Sequence, residues 1–397
     1  MTLLMIQQHV DYLIIGSGIA GASCAYRLAG TARIALVEKE AQPGYHSTGR
    51  SAAMFMESYG TPTIQALTRA SRAFLESPPD GFCDHPLLKD RGVLYLAARG
   101  QEALLDDTLR ELRACGADVR RVSADYVRQQ APCVKTGTLI GAIEEPGAKD
   151  IDVHALHQGF LKGARKGGVE LIHNAGVVQA QRAGDSWLVT LSDGTQLTAA
   201  SVVNAAGAWA DNVANTFGIE TVGLQPKRRS AFTFKSPDGT DAEHWPAVID
   251  IGNTYYFKPD AGQLLGSPAN EDPAPPHDVV PEELDIAIGI DRIQSATNLE
   301  IRRPSHVWAG LRTFAPDGEF VVGWEPGQPG FFWLAGQGGY GIQTCAAASL
   351  LAGNLARNEP LAPSLAACRI QPDIMSPRRF RHGLAPDATP STKGYSA

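Results

Sequence analysis

The apolar positions of the chain fall into two rhythms, and their order outlines the fold. Residues 10–16 (VDYLIIG) are a short apolar run ending in glycine, the pattern of a buried parallel strand. Small helix-forming residues follow at 19–29 (IAGASCAYRLA), and RIALVE at 33–38 predicts a second strand. Together they make a β-α-β unit of about thirty residues. Helical spacing returns at 62–76, 102–114 and 154–166. From 169 to 203 the pattern shortens to strands (VELI, VVQAQR, SWLVTL and ASVVNAAG), with a hairpin turn at SDGT. Residues 225–235 and 253–258 add β-rich sequence, and 272–282 reads as a proline-rich surface loop. Residues 331–336 (FFWLAG) form another buried strand, which leads through GQGGYG into a helix at 341–356. From about Gln371 the chain is rich in Pro, Ser and Arg and is expected to trail over the surface.

At about 150 residues per domain, 397 residues suggest two or three domains. The net charge of −7, without long runs of one sign, argues against nucleic acid or an anionic membrane as partner. A hydrophobic content of 44% excludes disorder for most of the chain. No apolar run approaches the roughly 20 residues that span a bilayer, and the N-terminus lacks the basic start of a signal peptide. Cys24, Cys83, Cys115, Cys133, Cys345 and Cys368 are scattered, with no CxxC pair and no metal-ligand spacing. A reduced, cytoplasmic protein with buried thiols and no metal site is expected.

Chemistry enters with Gly16-Ser17-Gly18-Ile19-Ala20-Gly21, a GxGxxG motif between a strand and a helix. Its glycines suit a tight turn, close backbone approach to a pyrophosphate and close helix–strand packing. Glu38 closes the next strand, where a carboxylate can accept ribose hydroxyls. The motif alone allows NAD or FAD. Two later elements favour a flavin threaded through the fold: the small-residue corner NAAGAW around Gly207, and the GQGGYG turn that opens a helix. A helix N-terminus there suits the flavin edge, where negative charge develops on reduction.

With these residues in view, the sequence resembles the D-amino-acid oxidase-like family of FAD-dependent amine oxidoreductases, closest to bacterial D-arginine/D-amino-acid dehydrogenases. The carriers are DYLIIGSGIAGAS, EAQPGYHSTGRSAA, DIDVHALHQGF, VVNAAGAWAD, QPKRRSAF, KPDAG, GSPAN, WAGLRTF and GQGGYGIQT, spread over almost the full length. The resemblance implies an α/β (α+β) fold. Its Rossmann-type FAD domain (1–88, 150–223, 308–373) is interrupted by an antiparallel-sheet substrate domain (89–149, 224–307) and followed by a tail at 374–397. It places Glu38 and Lys39 at the adenosine ribose and Val177 by the adenine. It wraps Ser47, Thr48, Gly49, Arg50, Ser51, Ala52 and Ala53 around the pyrophosphate and flavin. Gly338, Gly339, Tyr340, Gly341, Ile342 and Gln343 would border the isoalloxazine, with FAD held non-covalently.

An amino-acid substrate needs its carboxylate clamped, and arginine's planar fork does this bidentately. Arg229 sits in strand-like QPKRRSAF and Arg312 in the apolar run WAGLRTF, and a buried arginine there calls for an anionic partner. The resemblance assigns both to the substrate carboxylate. It adds phenolic hydrogen bonds from Tyr256 and from Tyr59 (on a lid that is mobile in relatives), and a Gly339 carbonyl for the amine. Tyr255 is expected on the other sheet face. Lys227, Arg228, Arg302 and Arg303 read as surface charges, and His46, His154 and His157 as structural or surface histidines. The arginine-preferring relatives carry polar partners where this chain has Met54 and Val93, so a pocket for neutral, mostly apolar side chains is expected. The leading reading is FAD-dependent oxidation of a D-amino acid by hydride transfer to flavin N5, with hydrolysis of the imino acid to a 2-oxo acid and ammonia. The electron acceptor is left open between oxygen and a quinone or other respiratory carrier. A glycine, sarcosine or N-methyl amino-acid oxidase and a flavin sensor without turnover are the alternatives.

Overall fold

A computed structural model describes residues 8–381. Its first sheet is built around parallel strands, with Gln8–Ile15 flanked by Ile34–Val37 and Gln196–Asn204, and Glu170–Ile172 beyond Ile34–Val37. Alternation along these strands makes two cores. Ile14 and Leu36 face one layer of helices, while Leu13, Ile15 and Val37 face the other side. The strand Gln196–Asn204 divides its outer edge. Residues 196–199 pair with the hairpin strand Ser186–Leu191, and 202–204 pair in parallel with Phe331–Trp333. The helices Ile19–Leu28 and Gly341–Ala356 pack together on the first core, where small residues permit close approach.

Among the described residues the second sheet has nine strands, antiparallel except where Ala247–Asp250 runs beside Val93–Ala98. Its long central pairing joins Gln225–Phe234 to His306–Phe314 from end to end. The strand His306–Phe314 therefore belongs to this sheet, and the chain rejoins the first sheet only at Val321–Trp324, later than the boundary at 308 read from the sequence. A small third sheet (Met54–Phe55, Leu88–Asp90, Lys149–Ile151) lies where the chain passes between the two.

The helices expected at 62–76, 102–114, 154–166 and 341–356 are present, displaced by at most one residue. Thr61 and Asp152 cap two of them through backbone N–H groups. The helix Glu283–Ala296 was not anticipated, although Ile286, Ile290 and Ile293 recur at helical spacing. Gly289 obscured the pattern, and its reason is tertiary: a Cβ there would lie 2.9 Å from Phe232. The expected trailing segment also differs. Met375 is buried and Arg381 pairs with the buried Glu325, so residues 372–381 dock on the first sheet. The rest of the tail lies outside the described residues.

Candidate active site

A continuous cleft runs from the glycine motif to the face of the second sheet. At one end Gly16 adopts φ +96°, and a Cβ on it would meet the Ala205 carbonyl at 2.6 Å. A Cβ on Gly21 would stand 1.8 Å from the Gly16 oxygen, so the strand–helix turn closes only with glycine at both places. Gly16, Gly18 and Ala20 line the cleft, whereas Gly21 serves the packing behind it. Glu38 is buried, and its carboxylate accepts hydrogen bonds from Ser17 N–H (2.9 Å), Ser17 Oγ (2.8 Å) and Glu40 N–H (3.0 Å). Further along, Val177, Gly207 and Trp209 continue the lining. Lys39 Nζ sits 3.3 Å from the Trp209 ring centroid, and His46 both packs on that ring and pairs with Glu40.

The 47–53 loop is held by its own side chains. Thr48 Oγ1 accepts the N–H of Ile19 at 3.0 Å, and Ser47 donates to Leu311 O at 2.6 Å. Arg50 lines the cleft, yet its guanidinium donates to the Val279 and Ala309 carbonyls and pairs with Asp278 on the proline-rich loop. It thus links the loop to the second sheet as well as placing positive charge there. Ser51 and Ala52 line the cleft; Gly49 and Ala53 stand behind it.

Arg229, Tyr256 and Arg312 meet at the far end. Arg312 donates to the Tyr59 hydroxyl at 3.1 Å and has no carboxylate partner among the described residues. Burial disfavours its charge, but Tyr59, Tyr256 and Glu271 outweigh burial and hold the guanidinium above its ordinary pKa. Arg229 is different. Burial, and then the charge of Arg312, lower its pKa, while Nε donates to Asn270 O (2.7 Å) and Nη2 pairs with Glu271 (3.0 Å). Tyr255 is packed in the second-sheet core, while its neighbour Tyr256 faces the cleft. Gly338, Gly339, Gly341 and Ile342 line the cleft beside them. Gly338, at φ +51°, donates to Thr313 O at 2.8 Å, drawing the turn onto the strand that carries Arg312.

Several expected residues are placed elsewhere. Gln343 is buried against Thr68 (2.9 Å) and the Met56 backbone, because its position on the helix turns it toward the neighbouring helix. Tyr340 packs its ring on Tyr59 and Phe314 and does not line the cleft. Val93 is fully buried; Met54, Tyr59 and Ile249 pack against the same cluster and, like Val93, do not line the cleft. Arg228 is no surface charge, since it is mostly buried between Asp285 and Glu282. His157 is buried and bonded to the Ser17 carbonyl at 2.8 Å, and burial holds its pKa below the ordinary value. The sequence reading missed Glu145, the register partner of Val93. Its carboxylate accepts from Glu57 N–H and Ser58 Oγ, with Tyr95 on the same hydroxyl, and burial raises its pKa. Only strand pairing brings it there, so no local signal marked it.

Cys345 is fully buried, its thiol pushed up to about 12 by burial, and it does not line the cleft. Among the described residues no three acidic, histidine or cysteine side chains cluster to hold a metal, and no helix is long and apolar enough to cross a membrane.

The fold is shared widely. The glycine oxidase of Geobacillus kaustophilus superposes with a TM-score of 0.79 at 21% identity, covering 96% of this chain and all of that one. The L-proline dehydrogenase of P. horikoshii gives 0.78 at 19%, covering 94% and 98%. A curated relative, FAD-dependent oxidoreductase domain-containing protein 1 of Xenopus laevis, is 23% identical over 85% of this chain and 77% of its own length. The long cleft, the glycines that admit no side chain and the acidic residue ending the second strand fit FAD. The family model described as FAD dependent oxidoreductase (DAO) matches residues 11–355, and the chain belongs to that family.

Proposed function

We propose that this protein oxidises a neutral, mostly apolar D-amino acid to its imino acid, with Arg312 as the anchor for the substrate carboxylate. The observation that carries the reading is a guanidinium that faces the cofactor cleft without a carboxylate of its own. Such a group favours an anion with two oxygens in its plane. Tyr256 lies beside it in the cleft and Tyr59 is hydrogen-bonded to it from behind the lining, which suits their hydroxyls to the same carboxylate, and the Gly339 carbonyl at the 338–341 turn suits the amine. Bound FAD supplies the two-electron oxidising power. The chain's own contribution is positioning: it fixes the carboxylate so that the Cα–H faces the cofactor. No side chain in this group is an evident base, so the amine enters neutral and its remaining proton leaves to water. The amine loses two hydrogens in all, and water then converts the imine to a 2-oxo acid and ammonia.

The preference for apolar side chains is supported by the apolar cluster of Met54, Tyr59 and Ile249 packed on Val93, which adjoins Arg312 through the Tyr59 hydroxyl. Glu145 does not reverse it, because its carboxylate is already occupied by Ser58 and the Glu57 N–H. Asp90, the other acid near Val93 in sequence, is exposed and paired with Lys149. A guanidinium entering there would lose hydration without gaining a partner. The burial of Cys345 favours non-covalent FAD. Anaerobic mixing of the FAD-loaded protein with D- and L-amino acids, glycine and sarcosine tests the proposal. D-methionine, D-leucine and D-phenylalanine should bleach the flavin, with kcat/KM about tenfold or more above D-arginine. Bleaching by L-isomers or sarcosine alone, or a tenfold preference for D-arginine, overturns it.

A further inference from the structure

The two arginines of the cleft are not equivalent, and the difference bears on which acids the site admits. Among the described residues Arg312 has no carboxylate partner, whereas Arg229 is already paired with Glu271 at 3.0 Å and bonded to the Asn270 carbonyl. Lys227 holds the other oxygen of Glu271 at 3.1 Å, so the carboxylate is braced between two cations. We propose that Glu271 is a specificity-determining residue that restricts the site to acids with a single carboxylate. The proposal rests on the reading of Arg312 as carboxylate anchor and refines it.

The discrimination is electrostatic. Arg312 and Arg229 line one cleft, and each lies in the field of Glu271. A first carboxylate on Arg312 completes a free cation. A second carboxylate on the same small molecule would turn to Arg229, where it would have to displace Glu271 or lie beside it as a like charge. Either course is costly, and this is specificity by repulsion at a site that could otherwise take two anions. Glu271 is more than one-third exposed and its main chain leads into an edge strand, and Glu271→Gln keeps an oxygen that accepts from Arg229, so the change removes charge with little change of shape.

The test uses the FAD-loaded protein and two probes, propionate and malonate, titrated against the flavin absorbance band. The parent should bind propionate about tenfold or more tighter than malonate, and Glu271→Gln should narrow that ratio by about tenfold, mainly by tightening malonate. Glu271→Asp keeps the charge and should restore the parental ratio. A purely structural role would weaken both anions in parallel and leave the ratio unchanged. A ratio within about threefold of the parent in Glu271→Gln, or a parent that prefers malonate, overturns the role of Glu271 while leaving Arg312 as anchor. If neither anion perturbs the parent flavin, the carboxylate reading of Arg312 falls and this inference with it.

Discussion

Gly339 lies so close to Arg312 that a single methyl group would disturb it. A Cβ at position 339 would stand 2.9 Å from the Cζ and Nη1 of the guanidinium. The absence of a side chain on the glycine turn therefore sets where the cleft's free cation can rest.

Two substitutions test this relationship. Arg312→Met should cut kcat/KM for the best substrate by about 10²–10³, since losing a buried charge-assisted pair costs about 3–5 kcal/mol. Gly339→Ala leaves the charge but pushes the guanidinium aside, and a fall of about tenfold or more is expected from misplacement alone. FAD content, read from the protein-to-flavin absorbance ratio, should stay parental in both. Full activity of Arg312→Met would show that the carboxylate is held elsewhere.

Glu38 makes a separable prediction about cofactor retention. Its carboxylate accepts two backbone N–H groups, from Ser17 and Glu40. Glu38→Gln sets an amide donor where two oxygens are needed, so the turn of the glycine motif loses a buried acceptor at a cost of about 1–3 kcal/mol. The FAD dissociation constant, measured by fluorescence quenching on reconstitution of apoprotein, should rise about ten- to hundredfold. An unchanged constant would remove Glu38 from the cofactor site.

The docked C-terminal segment predicts a large effect far from the cleft. Arg381 and Glu325 are both almost fully buried, and Glu325 also accepts the Trp333 indole N–H at 2.8 Å. Arg381→Met strands the carboxylate, a loss of about 3–5 kcal/mol that thermal denaturation should show as a clear fall in Tm. Arg302→Ala is the control: its pair with Glu300 is exposed, and no measurable change in Tm is expected.

His157 gives stability a pH dependence whose sign follows from burial. Its imidazole takes a proton less readily in the folded chain than in the unfolded one. The unfolded state therefore binds more protons as pH falls through about 6.5, and stability is lost from there down to the folded pKa. His157→Gln, which can still donate to the Ser17 carbonyl, should reduce the fall in Tm between about pH 7.5 and about pH 5.5 by roughly 1–3 °C. A parental pH profile in the variant would mean that other groups carry it.

What the sequence determined by itself is what contiguous residues encode. The strand–glycine–helix turn at 16–21, the acid at 38 and the helix limits at 62–76 and 341–356 were readable because their causes are local: spacing, capping and the absence of a side chain. Arg312 could be singled out by the apolar run WAGLRTF and Arg229 by the strand-like segment QPKRRSAF. That one is paired and the other free could not, because Glu271 reaches Arg229 only after Asp272–Pro273 has joined the edge of the second sheet. The same holds for Glu145 opposite Val93, Asp278 on Arg50 and Glu325 under Arg381. Gln343 shows the converse, a residue inside a readable motif that helix rotation turns away from the cleft. Charge pairing and pocket lining depend on which distant strands are neighbours and in what register. That is decided by the packing of whole sheets, where a shift of one residue would exchange the faces of every strand.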